Sequence, residues 1–181
     1  MRLKFIISTV FAFVLLPAAI SAAESHCQND FGEDRANTPS NHFSENGGNG
    51  TITHRRTGLT WARCSVGQSW NDGSCEGRAL VYQWPVAMEV DNEINGNGGL
   101  AGYEDWRLPT REELATIVEQ CREDPAINVS IFPDTPSTGF WTSTVEDEDE
   151  GMSWFVGFFQ GLDYPYRQDS AYRVRLVRGG D

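Results

Sequence analysis

The stretch Asp105-Trp106-Arg107-Leu108-Pro109-Thr110-Arg111-Glu112-Glu113-Leu114 determines where a helix begins. Pro109 ends the extended segment before it, because a proline disfavours helical geometry in the preceding residue. Thr110 is followed three residues later by Glu113, which is the spacing of a capping box. Leu114, Ile117, Val118 and Cys121 then recur at helical intervals. The sequence therefore predicts a helix that Thr110 caps and that carries these four residues on its inner face.

Arg107 stands between two apolar residues of the same stretch, Trp106 and Leu108. A half-buried arginine needs a carboxylate partner, and Asp105, Glu112 and Glu113 are near in sequence. We expect a structural salt bridge here rather than a ligand contact.

Two further elements are predicted before this stretch. Thr51 to His54 and Leu59 to Arg63 flank a turn that contains Gly58, a pattern typical of a β-hairpin with Trp61 pointing inward. Pro85 to Ile94 has a proline at the start and apolar residues at helical spacing, which indicates a short amphipathic helix.

Strand-like segments dominate the chain after this stretch. Phe140 to Val145, Trp154 to Phe159 and Tyr172 to Val177 are rich in aromatic and β-branched residues. The third alternates Tyr172, Val174 and Leu176 with Arg173, Arg175 and Val177, which predicts a strand with one buried and one solvated face. Two helices with a small twisted antiparallel sheet make an α+β fold. Four tryptophans in the predicted segments are expected in the core: Trp61, Trp106, Trp141 and Trp154.

The N-terminus has the order of a cleavable signal peptide. Arg2 and Lys4 precede an apolar run, and small residues follow it near Ala23. We predict a signal peptide over residues 1–23, a polar arm over 24–50 and one domain over 51–179. The chain is then expected to be secreted, periplasmic or at the cell surface, without membrane insertion, because no later segment is apolar enough to span a bilayer.

The charge of the predicted mature chain is strongly negative. The sequence has 14 basic and 26 acidic residues, and two of the basic residues, Arg2 and Lys4, belong to the signal, so the remainder carries 12 − 26 = −14. Nucleic acid and anionic membranes are poor partners for such a chain.

The four cysteines, Cys27, Cys64, Cys75 and Cys121, suit a protein oxidised outside the cytosol. Four cysteines allow three connectivities. The short loop from Cys64 to Cys75, rich in Gly, Asn and Ser, favours a bridge between these two, which leaves Cys27 to pair with Cys121. A zinc site is the competing interpretation, but a C-x-x-C pair and a histidine ligand spacing are both missing from the sequence.

Four segments in one order resemble the Lcl C-terminal domain family, named for the domain that closes a bacterial collagen-like adhesin. They are Gly58-Leu59-Thr60-Trp61, Gly102 to Thr110 with Glu113-Leu114, Phe140-Trp141-Thr142-Ser143-Thr144, and Val174-Arg175-Leu176-Val177-Arg178. The resemblance covers about Gly50 to Gly179. It implies a C-type-lectin-like fold, related to formylglycine-generating-enzyme-like domains, and a surface role in adhesion or glycan binding. The sequence has no Gly-X-Y stalk, and its acidity disfavours a sulfated ligand.

The candidate ligand site is Tyr164-Pro165-Tyr166-Arg167. After Gly161 this stretch is predicted to form a rigid turn that projects Tyr164, Tyr166 and Arg167 toward a glycan or protein surface ligand. A packed loop between strands is the alternative. Trp70-Asn71-Asp72 matches a sugar-binding motif of calcium-dependent lectins, but it lies before both predicted helices, whereas that motif comes late in those domains.

The sequence predicts neither a metal site nor a cofactor nor an enzyme. The acidic run Glu146 to Glu150 could collect calcium, although such runs are more often solvated loops. Asp91 and Glu93 begin an EF-hand-like spacing that ends on Gly102 instead of glutamate. Common catalytic motifs are missing, and formylglycine-type chemistry would need reactive thiols. We therefore expect a non-enzymatic binding module. A structural or assembly component of the cell envelope is the first alternative, and an enzyme like the formylglycine-generating enzyme is the second.

Overall fold

The computed structural model describes Cys27 and residues 35–180. The predicted signal peptide, residues 1–23, lies outside the described residues, as does most of the predicted arm before Arg35. The fold of the described part is α+β, with short helices and antiparallel sheets. Its strands are β1 Phe43–Glu45, β2 Thr51–His54, β3 Thr60–Ala62, β4 Gln68–Asn71, β5 Ser74–Gly77, β6 Tyr82–Gln83, β7 Gly139–Val145, β8 Met152–Gly157, β9 Leu162–Arg167, β10 Ala171–Tyr172 and β11 Val177–Arg178. Its α-helices are α1 Trp84–Ala87, α2 Val90–Gly96 and α3 Arg111–Ala115.

A four-stranded antiparallel sheet, in the order β1-β2-β3-β11, joins the two ends of the described chain. The predicted hairpin is confirmed: β2 pairs with β3, and Ile52 lies opposite Trp61. Both side chains are fully buried. Val177 of β11 pairs with Trp61 from the other side, so this tryptophan lies at the centre of the sheet.

A second antiparallel sheet has the order β7-β8-β9, with β9 at its edge. β4 pairs with β5, and β6 pairs with β10, in two smaller sheets. The β4–β5 hairpin turns at Asp72 and Gly73, both with positive φ, which is the conformation that an Asp-Gly turn favours.

The capping box of α3 is confirmed. The Thr110 hydroxyl accepts from the Glu113 N–H, and the Glu113 carboxylate accepts from the Thr110 N–H. The same carboxylate receives two hydrogen bonds from Arg107, of 2.7 and 2.6 Å, which confirms the expected salt bridge. Burial alone would raise the pKa of Glu113, but the bonds from Arg107 and Thr110 hold it below its usual value.

The predicted helices are longer than the observed ones. α3 ends at Ala115, and turns carry the chain on through Ile117 to Cys121. Ile117 and Val118 are nevertheless buried, because a turn can present an apolar residue to the core as a helix does. The segment predicted as one helix from Pro85 to Ile94 divides into α1 and α2.

The segment between β10 and β11 corrects the prediction of a half-solvated strand. Val174, Arg175, Leu176 and Val177 are all buried. The Leu176 carbonyl accepts from the Ala62 N–H of β3, and the Arg173 carbonyl accepts from the Trp141 N–H of β7. The segment therefore passes between the two larger sheets, and both of its faces are covered.

Arg175 is fully buried in this segment without a carboxylate partner. Its guanidinium donates to the backbone carbonyls of Ala62 and Arg63 and, at 2.7 Å, to the Thr135 hydroxyl. Burial lowers the pKa of Arg175 to about 9, so the group stays charged at neutral pH. Two carbonyl oxygens and a hydroxyl thus accept hydrogen bonds from a charged group that the alternating pattern places in solvent.

The core has two parts, one on each face of the β7–β9 sheet. Phe140 and Val156 belong to the part that also holds Trp61 and α3, whereas Trp141 and Phe155 belong to the other. Adjacent residues of a strand point to opposite faces, which explains the division. Of the four tryptophans expected in the core, the fully buried ones are Trp61, Trp106 and Trp141, and Trp154 is half-buried.

The disulfides Cys27–Cys121 and Cys64–Cys75 are those that the sequence favours. Cys121 lies in a turn beyond α3, not on a helix. The buried carboxylate of Glu119 lies beside this bridge and accepts from the N–H and hydroxyl of Thr38 and from the N–H of Asn37. The bridge and this network attach the start of the described chain to the domain.

Candidate functional site

The predicted site residues lie in an edge strand. Tyr164-Pro165-Tyr166-Arg167 belongs to β9, where Tyr164 pairs with Phe155 and Tyr166 with Ser153. The predicted rigid turn is therefore wrong. Pro165 and the preceding Gly161 are residues typical of turns, which is why the sequence predicted one. An edge strand nevertheless tolerates a proline, although proline has no N–H to donate.

The register places three apolar side chains of β9 on one face of the sheet. Leu162, Tyr164 and Tyr166 alternate along the strand, and residues two apart share a face. Leu162 is 53% exposed and Tyr166 is 46% exposed, while Tyr164 is half-buried. We call the surface formed by Leu162, Tyr164, Tyr166, Phe155 and Tyr172 the aromatic face.

Ring contacts hold the aromatic face together. The Tyr172 ring stacks on Phe155 with centroids 4.4 Å apart, and Tyr164 lies 5.7 Å from the same ring. Tyr166 meets Tyr172 edge-on at 5.9 Å. Such arrangements are favourable for aromatic quadrupoles and add to the stability gained by burial. The outer rings are thus held in place on a sheet rather than on a mobile loop.

Two glycines make room for aromatic rings: Gly139 for Tyr172 and Phe155 of the aromatic face, and Gly157 for Phe159, which lies outside it. Gly139 of β7 lies opposite Gly157 of β8. A Cβ at Gly139 would approach Tyr172 Cδ1 to 2.6 Å and Phe155 Cδ2 to 2.8 Å, and a Cβ at Gly157 would approach the Phe159 ring to 2.4 Å. Side chains at these positions would force the rings away from the sheet.

The three tyrosine hydroxyls of the aromatic face are available to a ligand. Within the described part of the chain, those of Tyr164, Tyr166 and Tyr172 make no hydrogen bond to protein. Burial, followed by the proximity of Tyr166, raises the pKa of Tyr172, so its hydroxyl stays protonated and able to donate. Exposed ring surface beside free hydroxyls suits a ligand with both apolar and hydroxylated faces.

Arg167 is separated from the two tyrosines. It follows Tyr166 in β9 and therefore points to the opposite face. Its guanidinium forms two hydrogen bonds with Asp169, of 3.0 and 2.6 Å, on the exposed surface. Hydrogen bonding to Asp169 and the charge of Asp169 raise the pKa of Arg167. A ligand would therefore meet an Arg167–Asp169 ion pair without net charge rather than a free guanidinium.

Other partly exposed aromatic rings are covered by arginines. The guanidinium carbons lie 4.2 Å from the Trp70 ring, 3.5 Å from the Trp154 ring and 3.8 Å from the Tyr103 ring. The arginines responsible are Arg63, Arg111 and Arg178, and each also binds a carboxylate. Each of these rings has one face occupied, which distinguishes them from Tyr166.

A cavity of about 550 Å³ lies beside Arg167 and is lined by Asp149, Glu150 and Asp169 among others. Asp149 and Glu150, from the acidic run Glu146 to Glu150, thus border this cavity. Among the described residues, the group of possible metal ligands that lie close together is Cys27, Glu119 and Cys121, whose sulfur atoms are joined in a disulfide.

A basic corner lies at the far end of the four-stranded sheet, where His42, Arg55 and Arg56 border a cavity of about 220 Å³. His54 is buried beneath it and its Nδ1 lies 3.0 Å from the Thr57 hydroxyl. Burial first, then the charges of Arg56 and His42, lower the pKa of His54. His54 is therefore neutral at pH 7.

The Trp70-Asn71-Asp72 motif lies at a hairpin tip. Asn71 donates to Glu76 across the hairpin, and Asp72 occupies the turn. The two polar residues thus belong to a tight turn, while Trp70 packs back toward the domain through a 2.9 Å hydrogen bond from its Nε1 to the Gly48 carbonyl.

Comparison with known families identifies the chain. The model of the Lcl C-terminal domain matches residues 50–178. The chain belongs to the Lcl C-terminal domain family. The matched range contains the aromatic face and the capped helix α3, and it confirms the resemblance carried by the Trp106-Arg107-Leu108-Pro109-Thr110 motif. The family associates the domain with bacterial surface adhesins. No curated protein matches the sequence.

Sequence reasoning found Tyr164 and Tyr166 but missed the rest of the face. Phe155 and Tyr172 come from two other strands, and only the register brings them to β9. A usable signal was Gly139, next to the predicted strand from Phe140, because a glycine in a strand often marks a close approach of other atoms.

Proposed function

We propose that this protein is a non-enzymatic extracytoplasmic binding module that recognises a glycan on a cell or matrix surface through its aromatic face. The observation that carries the proposal is the exposed Tyr166 ring, held by Tyr172 and Phe155 beside free hydroxyls. A sugar ring has an apolar C–H face and a hydroxylated rim, which match a tyrosine ring and its hydroxyl. Tyrosine is likewise enriched among the residues that contribute most to binding at protein interfaces.

The covalent framework supports an oxidising location. Within the described residues no cysteine is free, and disulfides persist mainly outside the cytosol. A secreted, periplasmic or cell-surface protein fits this and the predicted signal peptide. None of the helices in the described part of the chain has the length and apolarity needed to cross a membrane. A C-type-lectin-like architecture, implied by the family, is part of the proposal.

The disulfides also support the non-enzymatic assignment. Chemistry of the formylglycine-generating type would use free thiols, and both cysteine pairs are bridged. The acidity of the mature chain favours a neutral or weakly charged glycan over a sulfated one and over nucleic acid.

A glycan array tests the proposal, with three forms of the signal-free protein compared. Tyr166→Ala should weaken binding of the glycans that the wild type retains. Tyr103→Ala is the matched control: Tyr103 is 39% exposed, but Arg178 covers its ring, so binding should persist. Equal binding by Tyr166→Ala and wild type would reject the aromatic face. Co-purification with envelope proteins in the absence of glycan binding would favour an assembly component, and turnover dependent on a single cleft residue would favour an enzyme.

A further inference from the structure

A second cavity, of about 310 Å³, lies on another part of the molecule. Its walls come from the β4–β5 hairpin, the turn before β2 and the chain from α2 to Ala101. It shares no lining residue with the aromatic face. Its volume is at the lower end of the range of small-molecule sites, about 300–1,000 Å³, so it suits a ligand of one or two rings.

The lining of this cavity is uncharged. Val66, Ile94, Leu100 and Leu176 supply apolar surface, and the described lining residues include no acidic or basic side chain. Cys64, which also lines it, is in a disulfide. Although the chain has 26 acidic residues, none of them lines this cavity, so the cavity selects against charged ligands. A charged ligand would lose hydration here without gaining a counter-ion from the lining, and Arg63, which stacks on Trp70, is already paired with Glu45.

Trp70 forms a wall that is fixed before any ligand arrives. Its indole N–H donates to the Gly48 carbonyl, and the Arg63 guanidinium stacks on its ring. A Cβ at Gly50 would approach the Trp70 side chain to 2.7 Å, so the glycine lets the ring lie against the turn. Cys75, opposite Trp70 in the hairpin, is bridged to Cys64. A preorganised aromatic wall reduces the entropy cost of binding.

Polar groups without protein partners complete the cavity. Ser65 is 1% exposed, and its hydroxyl makes no hydrogen bond within the described structure. The Asn49 side chain uses its carbonyl to accept from Thr51, and for its Nδ2, as for the Ser69 hydroxyl, no protein partner exists among the described residues. A buried hydroxyl with no partner is rare in native proteins and needs an explanation.

We propose that this cavity is a binding site for a neutral sugar unit. Trp70 and the aliphatic wall would contact the apolar face of the sugar, and Ser65, Asn49 and Ser69 would bind its hydroxyls. This cavity shares no lining residue with the aromatic face, so an experiment can reject one binding site and leave the other in place. Its uncharged lining sets the specificity: amino sugars and uronic acids are rejected.

NMR titration of the signal-free protein tests the site with glucose, galactose, mannose and N-acetylglucosamine. The Trp70 indole N–H signal, assigned through Trp70→Phe, should shift with at least one of them. The corresponding amino sugar or uronic acid should bind at least tenfold more weakly. The amino sugar is the sharper control, because the acidic protein attracts cations. Failure of all four sugars to shift the signal, or equal binding of the charged sugars, would overturn the proposal.

Serine variants separate binding from folding. Ser65→Ala removes a hydroxyl that has no protein partner, so stability should be retained while affinity for the sugar falls about fivefold to tenfold, the effect of one hydrogen bond. Ser153→Ala is the matched control, because its buried hydroxyl lies in β8 and bonds to Gln168. It should leave sugar affinity unchanged. Unchanged affinity in Ser65→Ala would remove Ser65 from the site and contradict the proposed binding mode.

Discussion

Gly139→Ala should disturb the aromatic face without straining the backbone. Gly139 does not have positive φ, so alanine is conformationally allowed. Its methyl group would lie 2.6 Å from Tyr172 Cδ1 and 2.8 Å from Phe155 Cδ2, and one of these rings must move. Overpacking costs about 1–3 kcal/mol, and the stiffer unfolded chain returns about 0.4–1 kcal/mol. We expect a net loss of about 1–2 kcal/mol.

Urea unfolding followed by tryptophan fluorescence measures this loss, and glycan affinity measured on the same sample should fall with it. Gly96→Ala is the matched control, because open space surrounds Gly96 at the end of α2. It should raise stability by about 0.5–1 kcal/mol through helix propensity and leave binding unaltered. Wild-type stability and binding in Gly139→Ala would show that the rings do not need to lie against the sheet.

Three further variants test the framework. Removing the Cys64–Cys75 bridge by a double alanine substitution should lower the unfolding free energy by about 2.8 kcal/mol, from the loop entropy of its 11-residue separation, as denaturant titration would show. Glu119→Ala leaves the Thr38 N–H and hydroxyl without an acceptor and should cost about 2–3 kcal/mol in the same assay, whereas an unchanged midpoint would contradict the role of this carboxylate. The pKa of His54 is lower in the folded state, so the unfolded state binds the proton more readily. The free energy of unfolding should therefore fall as the pH drops below about 6.5. His54→Gln should weaken this dependence on pH between about pH 5 and 7.

Local sequence signals predicted the features that depend on neighbours along the chain. The Thr110–Glu113 cap and the Arg107–Glu113 salt bridge lie within a few residues, and both formed as predicted. The hairpin around Gly58 follows from local turn chemistry. The short Cys64–Cys75 loop likewise favoured its bridge.

Features that depend on tertiary context were missed. The alternation of apolar residues with Arg173 and Arg175 predicts that Arg175 faces solvent. It is buried instead, where it donates to the Ala62 carbonyl of β3. Pro165 and Gly161 are typical of turns and led to the wrong prediction. The sequence does not show that β9 is an edge strand, in which a proline is tolerated. The aromatic face needs the register of β8 and β9 to bring Phe155 beside Tyr164, and no local pattern encodes this.

The central claim, that the aromatic face binds a glycan, is tested most directly by observing the tyrosine rings during binding. The signal-free protein, labelled with ¹³C in its tyrosine rings, would be titrated with a glycan whose binding on the array is weakened by Tyr166→Ala. Ring signals of Tyr164, Tyr166 and Tyr172 should shift together along one binding curve, while that of Tyr103, covered by Arg178, should not. Saturable binding that leaves the Tyr164, Tyr166 and Tyr172 signals in place would contradict the account.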